Sequence, residues 1–350
     1  MAYTTIKKPG DYFNTKIYTG NGSTQNITGV GFQPDWIWIK NRDVTQWHFL
    51  FDAVRGVSKA LFSNVTNAES TQSGTQTAFL SDGFTVGNDT ASNGNGNGIV
   101  AWNWKAGNSA GSSNSDGSTN STVSANTTAG FSVVKYAGNS GGSGYSATIG
   151  HGLGVKPSFM IIKNLTATVN WAVYHKSLNN GTNPEVKYLE LNDSNAQLDD
   201  AGIFYDTAPT NSVFTVGTSD KTNEVNKNYI AYCFAEKQGY SKFGSYLGNG
   251  NADGPFVYTG FKPAFVIIKK TSATDNWVIN DNKRVGYNVD NNELFANLSN
   301  TEDTNDVLDL VSNGFKIRHT AGRHNSSGAT YVYMAFAEEP LIGDNPATAR

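Results

Sequence analysis

Apolar and polar positions along this chain either alternate with a period of two or form short apolar blocks, and glycine or asparagine soon interrupts both patterns. In the stretch Ile99-Val100-Ala101-Trp102-Asn103-Trp104, residues Val100, Trp102 and Trp104 share one face. Ile230, Tyr232 and Phe234 do so in 229–234, and Val332, Met334 and Phe336 in 331–336. This is the period of a β-strand with one face on a core. A second type of block is apolar throughout, as in Pro34-Asp35-Trp36-Ile37-Trp38-Ile39-Lys40, where Trp36 and Trp38 oppose Ile37 and Ile39. A strand apolar on both sides is central and covered twice. Helical periodicity is confined to two stretches, Asp52 to Ala60 and Asp306 to Leu310, and each predicts no more than a short helical turn.

The blocks recur in order three times, which decides the architecture. An opening strand runs into a Gly/Asn turn at Tyr18-Thr19-Gly20-Asn21, Tyr136-Ala137-Gly138-Asn139 and Tyr246-Leu247-Gly248-Asn249. The proline-led block follows as 34–40, 157–163 and 263–269, each closed by a lysine, Lys40, Lys163 or Lys269. A tryptophan comes 13, 14 and 14 residues after the proline, at Trp47, Trp171 and Trp277. A phenylalanine strand at Phe84, Phe214 and Phe315 and the closing strand complete each unit. With strands every 8 to 12 residues and turns between them, the expected fold is all-β, three tandem β-sandwich modules of the jelly-roll or lectin-like kind. The predicted boundaries are 1–106 with an N-terminal arm, 130–237, 238–340 and a tail at 341–350. Residues 107–129, rich in Gly, Ser, Asn and Thr, read as a flexible tether, because so few apolar groups offset little ordering entropy. The second and third modules, joined directly, are expected to dock tightly. The residues expected to form the repeated core are Trp36, Trp47, Trp104, Phe159, Trp171, Phe234, Phe265, Trp277 and Phe336.

Composition narrows the function. Among 350 residues, charged groups are only 16%, and the net charge is −3. There is no basic field to condense on phosphate backbones or anionic lipid, so nucleic acid is not an expected partner. No apolar run approaches the roughly 18 residues of a membrane span, and residues 1–10 lack a signal-peptide core. Synthesis in a cytoplasm without membrane insertion is the expectation. The single Cys233 excludes an intrachain disulfide framework, and five scattered histidines show no zinc spacing.

Catalytic fingerprints such as a phosphate loop, a nucleophile elbow or a His-Glu-x-x-His helix do not occur. A glycosidase needs two carboxylates across a cleft, for which Glu190, Asp199, Asp200 and Glu293 are candidates, but acids so scattered read as surface groups. Asn249-Gly250-Asn251-Ala252-Asp253-Gly254 begins like a calcium loop, yet Gly260 stands where the closing acid belongs. His151 and His175 have no partner at ligand spacing. No catalytic residue, metal or cofactor is therefore expected. The repeated tryptophans suit either sugar stacking or core anchoring, and their fixed register favours the core. The repeated lysines are expected to cap the buried strands by reaching to water. Ligand contacts are expected instead in loops where the copies differ, at Gly94, Asn95 and Asn97 and at Asn179 and Asn180.

Long phrases of the chain, Gly29-Val30-Gly31-Phe32-Gln33-Pro34-Asp35-Trp36-Ile37-Trp38-Ile39-Lys40-Asn41-Arg42, Asn228-Tyr229-Ile230-Ala231-Tyr232-Cys233-Phe234-Ala235-Glu236 and Gly244-Ser245-Tyr246-Leu247-Gly248-Asn249-Gly250, resemble a family of marine-phage, cyanophage-type virion structural proteins. The resemblance implies a place on a phage particle and brings no catalytic residues. Combined with the tandem polar modules, it implies a non-enzymatic tail- or fibre-associated adhesin that contacts host-surface glycans, with other virion proteins as partners and homo-oligomerisation. The alternative is a capsid-decoration or tail-collar subunit, and a polysaccharide-degrading enzyme is a minor one.

Overall fold

The protein is described from a computed structural model covering residues 4–140, 145–284, 292–305, 307–343 and 346–348. It is all-β, with several sheets and only one-turn helices among the described residues, at Thr90–Asn93, Ala201–Phe204 and Gly322–Asn325. Neither predicted helical turn forms. Asp52 to Ala60 is a chain reversal, in which the Asp52 carboxylate accepts from the Arg55 N–H and pairs with its guanidinium. Leu308–Val311 is a strand, and Asp306 lies outside the described residues. Tertiary pairing overrides local propensity at both places.

The three sets of landmarks fall on three larger antiparallel sheets with one strand order: opening, closing, proline-led, and a fourth strand beyond. In the first sheet these strands are Phe13–Thr19, Gly98–Trp104, Trp36–Asn41 and Phe49–Asp52. In the second they are Phe131–Ala137, Asn228–Phe234, Phe159–Asn164 and Ala172–His175, and in the third Ser241–Leu247, Thr330–Pro340, Phe261–Lys270 and Val278–Asp281. All of these pairings are antiparallel, but of the four strands only the proline-led and fourth are also neighbours in sequence. A smaller sheet lies over each, formed by Gln25–Thr28, Gly83–Val86 and Gln76–Leu80, by Ala147–Gly150 with Val213–Val216, and by Phe256–Tyr258, Gly314–Ile317 and Leu308–Val311.

The proline-led strands show why both of their faces are apolar. Ile37 and Ile39 pack outward against Ile27, Phe84 and Val86 of the smaller sheet. Met160 and Ile162 do the same against Ile149 and Phe214, and Val266 and Ile268 against Val257 and Phe315. The opposite faces, with Trp36, Trp38, Phe159, Ile161, Phe265 and Ile267, join one cluster shared by all three sheets. Trp104, Phe234 and Phe336, which hold the same position in the three closing strands, meet pairwise with ring centroids 6.4, 5.7 and 5.8 Å apart. Each such buried ring contributes on the order of 2–3 kcal/mol.

The three sheets close on one another cyclically. The carbonyl two residues beyond each repeated lysine accepts a backbone bond from the next unit: Arg42 from Glu302, Leu165 from Glu69 and Thr271 from Gln197, at 2.9, 3.0 and 3.0 Å. The first unit thus abuts the third, the second the first, and the third the second. Docking is therefore not confined to the second and third units, and 107–129 is not a tether. It forms the strands Ser112–Asn114 and Ser121–Asn126, the latter paired along the second opening strand with Val123 buried. Polar composition did not prevent order because the segment completes an existing sheet edge instead of building its own core.

Two expectations about recurring residues need correction. Trp47 is 40% exposed and touches Phe62 edge-on, so it is not part of the shared core. Strand pairing sets Phe49 opposite Ile39, Ala172 opposite Ile162 and Val278 opposite Ile268, so the residue matching Trp171 and Trp277 is His48. The one-residue difference turns Trp47 to the other face. Trp171 and Trp277 donate across the seams to the Phe62 and Glu190 carbonyls at 3.0 and 2.8 Å. The buried His48 instead accepts from Trp38 Nε1 at 2.8 Å, and its ring faces the Phe295 and Leu298 backbone. The other predicted core residues, Trp36, Trp104, Phe159, Trp171, Phe234, Phe265, Trp277 and Phe336, are all buried.

Lys40, Lys163 and Lys269 do not reach water. All three are fully buried, and their ammonium groups donate to carbonyls within their own unit and across the seam. Lys40 reaches Ser299 O at 3.2 Å, Lys163 Thr66 O at 3.0 Å and Lys269 Ser194 O at 3.1 Å. Burial lowers them to about 8, about 7 and about 8, respectively.

Candidate functional site

Each unit carries the same turn cluster at the end where its opening strand finishes and its closing strand begins. The opening-strand tyrosine hydroxyl, on Tyr18, Tyr136 or Tyr246, donates to the carbonyl of Ser92, Thr222 or His324 at 2.6, 2.7 and 2.9 Å. The next residue is a buried asparagine, Asn93, Asn223 or Asn325. Its Oδ1 accepts from the backbone N–H of Asn21, Asn139 or Asn249 at 3.0, 3.0 and 2.8 Å. Its Nδ2 donates to the carbonyl six residues earlier, on Gly87, Gly217 or His319, at 2.6, 2.8 and 3.1 Å. A buried amide satisfied on both its donor and acceptor sides holds two loops in one geometry. Burial pushes all three phenols well above their ordinary value, so they remain donors.

The glycine of each Gly/Asn turn is required by close approach. A Cβ on Gly20, Gly138 or Gly248 would lie 2.1, 2.2 or 2.2 Å from the carbonyl oxygen of Gly94, Glu224 or Ser326. The latched loops then present Asn21, Asn95, Asn139, Asn249 and Asn251 to solvent. Because Trp104, Phe234 and Phe336 converge near the far ends of the closing strands, the three clusters all lie at the opposite end of the body.

Of the predicted contact residues, Gly94, Asn95 and Asn97 fall in this cluster. Gly94 is buried, Asn95 is exposed, and the Asn97 carbonyl accepts from Gly20 N–H at 2.8 Å. Asn179 and Asn180 belong to a different loop. They sit in left-handed backbone at φ 51° and 56°, where Asn179 donates from its N–H to Gln197 Oε1 and from Nδ2 to Thr182 O. The latch asparagines were not singled out from sequence, although a signal existed: each precedes by six residues the first apolar residue of the closing strand, Ile99, Tyr229 or Tyr331.

The candidate acids are engaged locally. Asp199 pairs with Lys187 at the surface, and Asp200 accepts from Gly202 N–H at the start of a one-turn helix. Glu190 is buried and takes Asn170 Nδ2 at 2.8 Å and Lys221 at 3.4 Å. Glu293 is buried in the third unit beside Arg323 and His324; burial raises it, but the hydrogen bonds these two side chains make to it and the Arg323 guanidinium hold it below the usual carboxylate range. His175 is lowered to about 4 by burial and meets Tyr333 O at 3.0 Å, and His151 is likewise lowered. Asp253 pairs with Lys316 at 2.7 Å. Among the described residues no three His, Cys, Asp or Glu side chains gather as a metal site, and no helix is long and apolar enough to cross a membrane. Burial raises the Cys233 thiol far above its ordinary range.

No curated protein matches this chain. A family described as a domain of unknown function, DUF7483, matches residues 8–340, a span that takes in all three repeats and the cyclic seams between them, and the chain belongs to that family.

Proposed function

We propose that the chain is three tandem β-sandwich modules closed into a pseudo-three-fold body, and that it serves as a non-enzymatic virion structural protein, tail- or fibre-associated, whose latched turns contact host-surface glycans. The carrying observation is the threefold repetition of one rigid, asparagine-rich turn cluster at one end of the body. Exposed amides on fixed loops match the hydroxyls of sugars, and three weak sites on one rigid frame gain avidity without added contacts. The engagement of Glu190, Asp199, Asp200 and Glu293 by local partners favours a binding role over glycoside cleavage.

Immunogold labelling of virions together with glycan-array and whole-cell binding tests this reading. Labelling at the tail or fibres and saturable cell binding that weakens in Asn95→Ala are expected, and binding at background in every format overturns it. The cyclic seams favour one second reading, a capsid-decoration or tail-collar subunit, since a pseudo-three-fold body suits a symmetric seat. Gold confined to the capsid or collar would support that role.

A further inference from the structure

In the larger sheets the opening strand stands at the margin, but the three units treat that margin differently. In the second, Ser121–Asn126 pairs in register along Phe131–Ala137, with Val123 and Ala125 on the cluster beneath. In the first, no described strand covers Phe13–Thr19. The Gly20 N–H bonds back to Asn97 O, so by antiparallel alternation the N–H and C=O groups of Thr15, Ile17 and Thr19 point away from the sheet; Thr15 is buried, and the Thr19 carbonyl accepts from Gln25 Nε2 at 3.2 Å. Ile17 is 41% exposed on that margin. In the third, the corresponding margin is partly closed, because the Glu236 carboxylate accepts from Phe243 N–H.

We propose that the Phe13–Thr19 margin is an acceptor for an extended β-strand of a partner protein, added antiparallel as Ser121–Asn126 is added to the second unit. The intrachain strand states the partner's chemistry. It reads Ser-Thr-Val-Ser-Ala-Asn, small and β-branched residues with the apolar ones on alternate positions, and carries no charge. Main-chain bonds supply the affinity of such an addition, and alternate side chains supply its register. The partner residue opposite Ile17 covers that exposed side chain, as Thr122 lies opposite Lys135 in the second unit. This inference stands on strand geometry and is independent of the glycan reading.

The test is titration of the full chain with a fluorescent peptide of residues 118–127, Ser-Thr-Asn-Ser-Thr-Val-Ser-Ala-Asn-Thr. Saturable binding is expected, at least about tenfold weaker in Ile17→Pro, which deletes an outward N–H without touching the bonds to the closing strand. A peptide N-methylated at alternate residues removes the same bonds with the protein unaltered, and it too must fail to bind. No binding, or binding that Ile17→Pro leaves unchanged, overturns the proposal; in the second case the peptide is exchanging with its own strand in the second unit. Self-association of the chain that vanishes in Ile17→Pro also overturns it, since the occupant would be a second copy.

Discussion

Two kinds of residue recur with a physical task that can be measured singly. Truncating a latch asparagine, as in Asn223→Ala, leaves the Asn139 N–H and the Gly217 carbonyl without their partner. A loss of about 1–3 kcal/mol is expected from urea unfolding, with the slope unchanged. The buried lysines govern pH dependence. Their folded values of about 8, 7 and 8 lie below the 10.5 of a free lysine, so the unfolded chain binds more protons through this window. Stability therefore rises with pH, by on the order of 3 kcal/mol between pH 7 and 8.5 for the three lysines together, and the cost of the buried cations is present in full only below about pH 6. Denaturant midpoints measured across that range in wild type and Lys163→Met should show the slope flattened in the variant. Above about pH 9 the buried Cys233 thiol and phenols oppose the trend, because burial keeps them protonated only in the folded chain.

At the scale of elements, strand register decides which aromatic residue matters. Trp171→Ala removes a fully buried ring and its bond to Phe62 O, for an expected cost of about 3–5 kcal/mol. Trp47→Ala, at the position that sequence spacing equates with it, is expected to cost under about 1 kcal/mol because the ring is half in solvent. Equal losses in thermal unfolding would contradict the register correction. The segment 107–129 supplies a second contrast. A loose tether would be the first place cut by proteinase K, whereas strands paired as Ser121–Asn126 are should resist until the body unfolds.

For the whole molecule, the shared aromatic cluster makes one unit an incomplete object. Residues 4–106 alone would expose Trp36, Trp38, Trp102 and Trp104, all fully buried in the closed body. That fragment is expected to aggregate or remain unfolded, and calorimetry of the full chain is expected to show one cooperative transition rather than three. Independent folding of the fragment, or three resolved transitions, would mean that the seams contribute little. The Arg42–Glu302 pair, with two bonds at 2.9 and 2.8 Å across a seam, is part of what such coupling contains.

What the amino-acid sequence determined by itself was local and periodic. The alternation in Val100, Trp102 and Trp104, the two-faced run from Trp36 to Ile39 and the Gly/Asn turns specify all-β strands and their threefold recurrence, because a pleated strand reports its two faces directly through side-chain polarity. The candidate loop was legible in part, since Gly94, Asn95 and Asn97 mark a turn. The role of Asn93 was not, because a hydrogen bond to Asn21 across 72 residues leaves no mark on neighbouring positions. Tertiary structure alone decided which face of each larger sheet meets the others, that Lys40, Lys163 and Lys269 find carbonyls in a neighbouring unit, that His48 rather than Trp47 is the buried residue at its position, and that 107–129 is ordered. Each of these depends on partners distant in sequence, and composition or spacing along one stretch carries no information about a surface that only the closed chain creates.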